Sequence, residues 1–127
     1  MKFRKCNMNP KNARAADCVV RALTLADDDE DYRRVYKELF EIGYKKCRMP
    51  NEKIVYEKWL DNHGWIKEKM PKKPNNKRYT LEEWINDNPD MTFVASIANH
   101  LTFVQAGELI DTWNCSYKCI GNYWIKI

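Results

Sequence analysis

A chain of 127 residues, 44% hydrophobic and 13% aromatic, can bury one core but hardly two, and four glycines and five prolines are too few for a linker-dominated or low-complexity protein. The 22 basic and 18 acidic residues leave a net charge of +4, mixed along the chain in a way that demotes nucleic acid to a secondary partner. One domain spanning residues 1–127 is the expectation.

The opening "MKFRKCNMNPKNAR" lacks the apolar core of a signal peptide, and no stretch approaches the roughly 18 to 20 consecutive apolar residues of a membrane helix. A cytoplasmic protein without membrane contact is therefore expected. The five cysteines, an odd count, fit free thiols in a reducing compartment better than a disulfide framework.

Ala15, Val19, Ala22, Leu23 and Ala26 recur at helical spacing and predict a first helix over Ala15 to Ala26, with Cys18 in its opening turn. The acidic string Asp27 to Asp31 leads into a second helix whose stripe is Tyr32, Val35, Tyr36, Leu39 and Phe40, with Gly43 as a stop. Asn51 is the expected N-cap of a third helix that turns Ile54, Val55 and Trp59 or Leu60 inward and ends before Gly64. The run "KEKMPKKPNNKR", Lys67 to Arg78, is basic but rich in Pro and Asn, which reads as a solvated loop. Thr80 and Glu83 form a capping box opening a short fourth helix that Pro89 closes.

From Met91 onward Thr, Val, Ile, Phe and Trp dominate, which predicts four short strands with turns near Asn99, Ala106-Gly107 and Gly121-Asn122. Helices first and strands last predict an α+β protein, N-terminal helices packed on a C-terminal antiparallel β-sheet.

The connection Ala106-Gly107 has the length of a tight hairpin and sets a register: Gln105 opposite Glu108, Val104 opposite Leu109, Phe103 opposite Ile110, Thr102 opposite Asp111, His100 opposite Trp113. Alternation then puts His100, Thr102, Leu109, Asp111 and Trp113 on one face. His100 and Asp111 become diagonal neighbours, roughly 7 to 8 Å apart along the backbone, a gap that an imidazole and a carboxylate can close. A cysteine at a helix N-terminus is the complementary part. The helix dipole and a nearby imidazolium both stabilise thiolate, so Cys18, His100 and Asp111 have the makings of a nucleophile, its base and the base's orienter.

In chain order these residues resemble the papain-like cysteine peptidase superfamily. The stretches "DCVVRAL", "NHLTFVQAGELIDTWNCS" and "YWIKI" are most similar to small cysteine-peptidase-like proteins of phages and bacteria. The resemblance implies a papain-like fold in which Cys18 is the nucleophile, His100 the general base and acid, and Asp111 the residue that fixes the imidazole tautomer. It also implies an oxyanion donor a few residues before the nucleophile, where Asn12 stands in place of the usual Gln, and a substrate-binding place for Trp113. The implied substrate is a peptide or protein, with no cofactor, in a host's cytoplasm if the gene is a phage's. Full-size members carry long cleft loops, and their absence here implies a narrow substrate range or a non-catalytic binding or inhibitor protein of the same fold.

Plainer roles compete at each position. Cys18 alone reads as a buried thiol on a helix face, His100 as a hydrogen-bonded residue at a strand start, and Asp111 as a turn cap. Asp17 opposes a thiolate unless it points outward, paired with Arg14 or Arg21. Cys115 and Cys119, with Cys6, Cys47 and His63 as further ligands, permit a zinc reading, but no second close pair supports it and no metal is expected. Trp113, Tyr117, Tyr123 and Trp124 read as sheet packing rather than a base-stacking platform.

Overall fold

The computed structural model describes residues 1–126. It is α+β, with elements in the order β1 (Lys2–Lys5), α1 (Cys18–Ala26), α2 (Tyr32–Lys46), α3 (Lys53–Asn62), β2 (Trp65–Glu68), α4 (Leu81–Asp87), β3 (Phe93–Ile97), β4 (His100–Gln105), β5 (Glu108–Asp111) and β6 (Tyr123–Lys126). No helix is long and apolar enough to cross a membrane.

The six strands form one sheet in the order β1-β5-β4-β3-β6-β2. It is mixed rather than antiparallel, because β1 runs parallel to β5 with Phe3 opposite Leu109, and it draws strands from outside the C-terminal third. Both additions are edge strands of four residues, too short for their periodicity to stand out. Lys67 and Glu68, placed by the sequence reading in the basic loop, belong to β2 and pair with Trp124 and Tyr123.

Period-two alternation in β3, β4 and β5 feeds two cores. Val94, Leu101, Phe103 and Ile110 face α1, α2 and α3, where Leu23, Val35, Leu39, Val55, Trp59 and Leu60 are buried. Phe93, Ala95, Ile97, Val104 and Leu109 face the other way, against Leu81 and Ile85 of α4 and the loop residues Cys115 and Ile120. With both faces covered, four of the five residues of "FVASI" are apolar and buried instead of alternating, Ser96 being the exception.

The helices depart locally from expectation. α1 starts at Cys18, not Ala15. Gly43 does not stop α2 but lies buried inside it, where the Arg48 carbonyl oxygen sits 2.6 Å from the place a Cβ would occupy. The left-handed cap is Cys47, with φ of 56°. Tyr36 and Phe40 are each 44% exposed and Ile54 50%, so those stripes are narrower than their spacing suggested. Glu52, not Asn51, caps α3, and Gly64 follows its end with φ of +82°. The α4 capping box forms as expected, with Thr80 Oγ1 accepting from the Glu83 N–H at 3.2 Å and Glu83 Oε1 from the Thr80 N–H at 2.9 Å.

The hairpin register is the expected one: Gln105 pairs with Glu108, Val104 with Leu109 and Phe103 with Ile110. Ala106 and Gly107 both have positive φ, 47° and 83°, as a type I′ turn demands. A second two-residue turn, Ala98-Asn99, joins β3 to β4 and makes His100 the first residue of β4.

Candidate active site

The hairpin brings His100 and Asp111 together on the face that Val104 and Leu109 share. His100 Nε2 lies 2.6 Å from Asp111 Oδ2, and both side chains are more than nine-tenths buried. The carboxylate is held from several sides. Thr102 donates its hydroxyl to Oδ2 at 2.6 Å, the Thr112 N–H donates to Oδ1 at 2.6 Å, and the Cys115 thiol approaches Oδ2 at 3.8 Å. Trp113 lies against the imidazole with ring centroids 5.2 Å apart, covering the pair while its outer part stays exposed.

With Nε2 committed to Asp111, Nδ1 is the ring nitrogen left to serve a thiol. Cys18, the first residue of α1, lies beside the His100 ring and the Leu101 backbone of β4. Cys18 and His100 line one pocket of about 310 Å³, together with Tyr56, Ser96, Ile97 and Asn99.

The electrostatics favour an ion pair. Burial pushes the Cys18 thiol up, but the hydrogen bonds from His100 and Leu101 and the positive charges of His100 and Arg21 outweigh it, and the thiol is held below its ordinary value. Burial alone would lower His100. The bonds to Asp111, Cys115 and Cys18 instead raise it to about 11. Burial likewise would raise Asp111, and its bonds from His100 and Thr102 bring it below the usual carboxylate value. Thiolate, imidazolium and carboxylate thus stabilise one another in sequence.

Asp17 differs from expectation. Rather than pointing outward it is 7% exposed, paired with Arg21, and accepts from the Tyr32 hydroxyl at 2.7 Å and from Asn9 Nδ2 at 3.0 Å. Those partners satisfy the carboxylate and offset its charge beside the thiol. Its side chain makes no capping bond to α1, leaving the first-turn N–H groups, that of Cys18 included, as free donors.

Asn12 is not brought to this pocket. It sits at φ of 50°, its Oδ1 accepts from Asn7 Nδ2 at 3.3 Å, and it lines a separate cavity of about 720 Å³ with Cys6, Arg14, Arg21 and Thr112. Cys18, whose N–H is one of the free donors at the start of α1, does line the pocket with His100.

The structure adds Thr102, Cys115 and the Leu101 N–H to the residues singled out by sequence. Thr102 was visible in the register, directly opposite Asp111. Cys115 was visible only as a zinc candidate paired with Cys119. It lies instead with His100 and Asp111, the three offering ligand atoms within 4.8 Å of one another. Neighbouring ligands of a tetrahedral zinc stand about 3.3 Å apart. The 2.6 Å between Nε2 and Oδ2 is too short for that and fits a shared proton. Comparison of the chain with protein-family models, curated proteins and solved structures finds no match. The functional reading therefore stands on the residues themselves.

Proposed function

We propose that the chain is a cysteine-dependent hydrolase of papain-like fold, acting on an amide bond of a peptide or protein. The observation that carries the reading is the shared pocket of Cys18 and His100, with His100 Nε2 held at 2.6 Å by a buried Asp111. In this reading the Cys18 thiolate attacks the carbonyl carbon while the Cys18 N–H, unpaired at the start of α1, receives the developing oxyanion. His100 then delivers its Nδ1 proton to the leaving amine. It next takes a proton from the water that attacks the thioester carbon, the acyl group leaves as the carboxylic acid, and the thiolate–imidazolium pair is restored. Asp111 keeps Nε2 protonated and the ring oriented throughout.

A non-catalytic binder of the same fold would not need a thiol that shares a pocket with an imidazole, and this favours the catalytic reading. Site-resolved alkylation by iodoacetamide across pH tests it. Cys18 should react faster than Cys6, Cys47, Cys115 and Cys119 near pH 7 and lose that advantage in His100→Ala. A Cys18 protected until the protein unfolds, or one whose rate ignores His100, would sink the reading.

A further inference from the structure

Three cavities adjoin the candidate site, and they share a property the overall composition does not suggest. The pocket holding Cys18 and His100 also has Lys53 in its wall. It shares the lining residues Ser96 and Ile97 with a second pocket of about 380 Å³, and that pocket is also lined by Arg78 and Lys118. On the other flank, the cavity that shares Arg21 with the first turns of α1 carries Lys5 and Arg14. No Asp or Glu lines any of the three. In a chain with 18 acidic residues this is segregation, because the cavities elsewhere do contain carboxylates: Glu57 and Asp61 in one, Glu83 and Asp87 in another.

Arg21 is paired with Asp17, but the other cations of these cavities lack acidic partners of their own. Lys53 Nζ donates to the Asn122 side-chain oxygen at 2.6 Å, and an Arg78 nitrogen donates to the Ile120 carbonyl at 3.1 Å. Lys118 hangs over the Trp113 ring, 5.9 Å from its centroid. Among the described residues none of these three, nor Lys5 or Arg14, makes an ion pair, while Arg4, Arg34, Arg48, Lys67, Lys73 and Lys126 all do. Positive charge left unneutralised around a pocket draws an anionic ligand and rejects a cationic one.

We propose that the substrate is a peptide segment bearing acidic side chains within a few residues of the bond attacked, seated against the cationic walls that Lys53, Arg78 and Lys118 give the two pockets sharing Ser96 and Ile97. This rests on the hydrolase reading and adds the substrate class to it. A peptide suits these pockets better than a nucleic acid, since their lining offers no ring free to stack on a base: Tyr56 is buried and His100 is committed to Asp111.

The test uses three N-chloroacetylated tetrapeptide amides, Gly-Glu-Glu-Gly, Gly-Gln-Gln-Gly and Gly-Lys-Lys-Gly, with the rate of Cys18 labelling read by mass spectrometry and iodoacetamide as the uncharged reference. The acidic peptide should label Cys18 about tenfold faster than the basic one, with the neutral peptide between. The ratio should shrink toward one in about 0.5 M salt, where surface charges are screened within a few ångströms. The imidazolium of His100 attracts any anion, so Lys118→Glu, alone and combined with Arg78→Glu, carries the decision. Both variants should reduce the ratio, the double one to near unity or below. A ratio unchanged by charge reversal, a preference for the basic peptide, or protection of Cys18 by a single-stranded oligonucleotide at lower concentration than by the acidic peptide overturns the proposal and leaves the hydrolase reading intact. Slow reaction of Cys18 with iodoacetamide itself overturns both.

Discussion

Replacing Asp111 by Asn isolates the charge behind the imidazole while keeping the side chain's shape. In the native protein Asp111 Oδ2 accepts from His100 Nε2 and Thr102 Oγ1, each at 2.6 Å, in a site more than nine-tenths closed to water. An amide can still accept from Nε2, but a neutral hydrogen bond replaces a charge-assisted one. Charged bonds contribute roughly 1.5–3 kcal/mol and neutral ones about half that. The imidazolium therefore loses about 1.4 kcal/mol, or about one pKa unit. Starting from about 11, the His100 midpoint should fall to about 10. The ring then keeps its charge at neutral pH, so the thiolate it faces should persist and iodoacetamide labelling of Cys18 at pH 7 should change by less than about threefold. The assay is the NMR titration of the His100 ring between pH 7 and 12, with Cys18 labelling at pH 7 alongside and exposed Cys47 in the same molecule as its reference. A His100 midpoint that stays put or rises would refute the coupling of the imidazole to the carboxylate.

The same carboxylate gives an acid limb to stability. Its pKa is lowered on folding, so the unfolded chain binds the proton more tightly, and the stabilisation present above about 3.8 is lost as pH falls through the lower folded value. Urea unfolding at pH 3 and pH 6 should show a smaller difference in Asp111→Asn than in the native protein, and an equal difference would argue against a depressed Asp111. Gly43→Ala improves helix propensity but puts a methyl group 2.6 Å from the Arg48 carbonyl oxygen, so we expect a net loss of about 1–3 kcal/mol in urea unfolding, and a gain would show that the α2–α3 turn yields easily. Ala106 holds a left-handed φ of 47° in the hairpin that positions Asp111. Ala106→Asn should stabilise by about 1 kcal/mol with unchanged Cys18 reactivity, and a lower unfolding midpoint would count against the type I′ turn.

The part of the site that was legible in sequence is the part governed by short-range rules. Once Ala106-Gly107 is taken as a two-residue turn, every cross-strand neighbour in the hairpin follows, and the His100 to Asp111 contact is a consequence of register. The helical spacing of Val19, Leu23 and Ala26 likewise places Cys18 in the first turn of α1. The capping box at Thr80 is a local hydrogen-bond pattern that three-residue spacing encodes directly.

What stayed hidden depends on contacts between distant segments. β1 is polar and exposed along its length, and only backbone pairing with β5 makes it a strand, so no side-chain pattern marks it. The loop after β5 is tied to the start of α4 by the Leu81 N–H to the Lys118 carbonyl at 2.8 Å and the Glu82 N–H to the Ser116 carbonyl at 2.9 Å. Those bonds return the chain so that Cys115 lies against Asp111, Trp113 lies against His100, and Lys118 lines the neighbouring pocket. None of the three placements has a periodicity to read. Asp17 obeys the same rule: its pairing with Arg21 is local, but a buried carboxylate beside a thiolate looks prohibitive until the distant Tyr32 and Asn9 are seen to converge on it as well. Arg21 then serves both groups, pairing with Asp17 while its charge helps hold the Cys18 thiol down. An acid next to the nucleophile in sequence is thus compatible with a thiolate, because what the sulfur senses is the net field of its spatial neighbours.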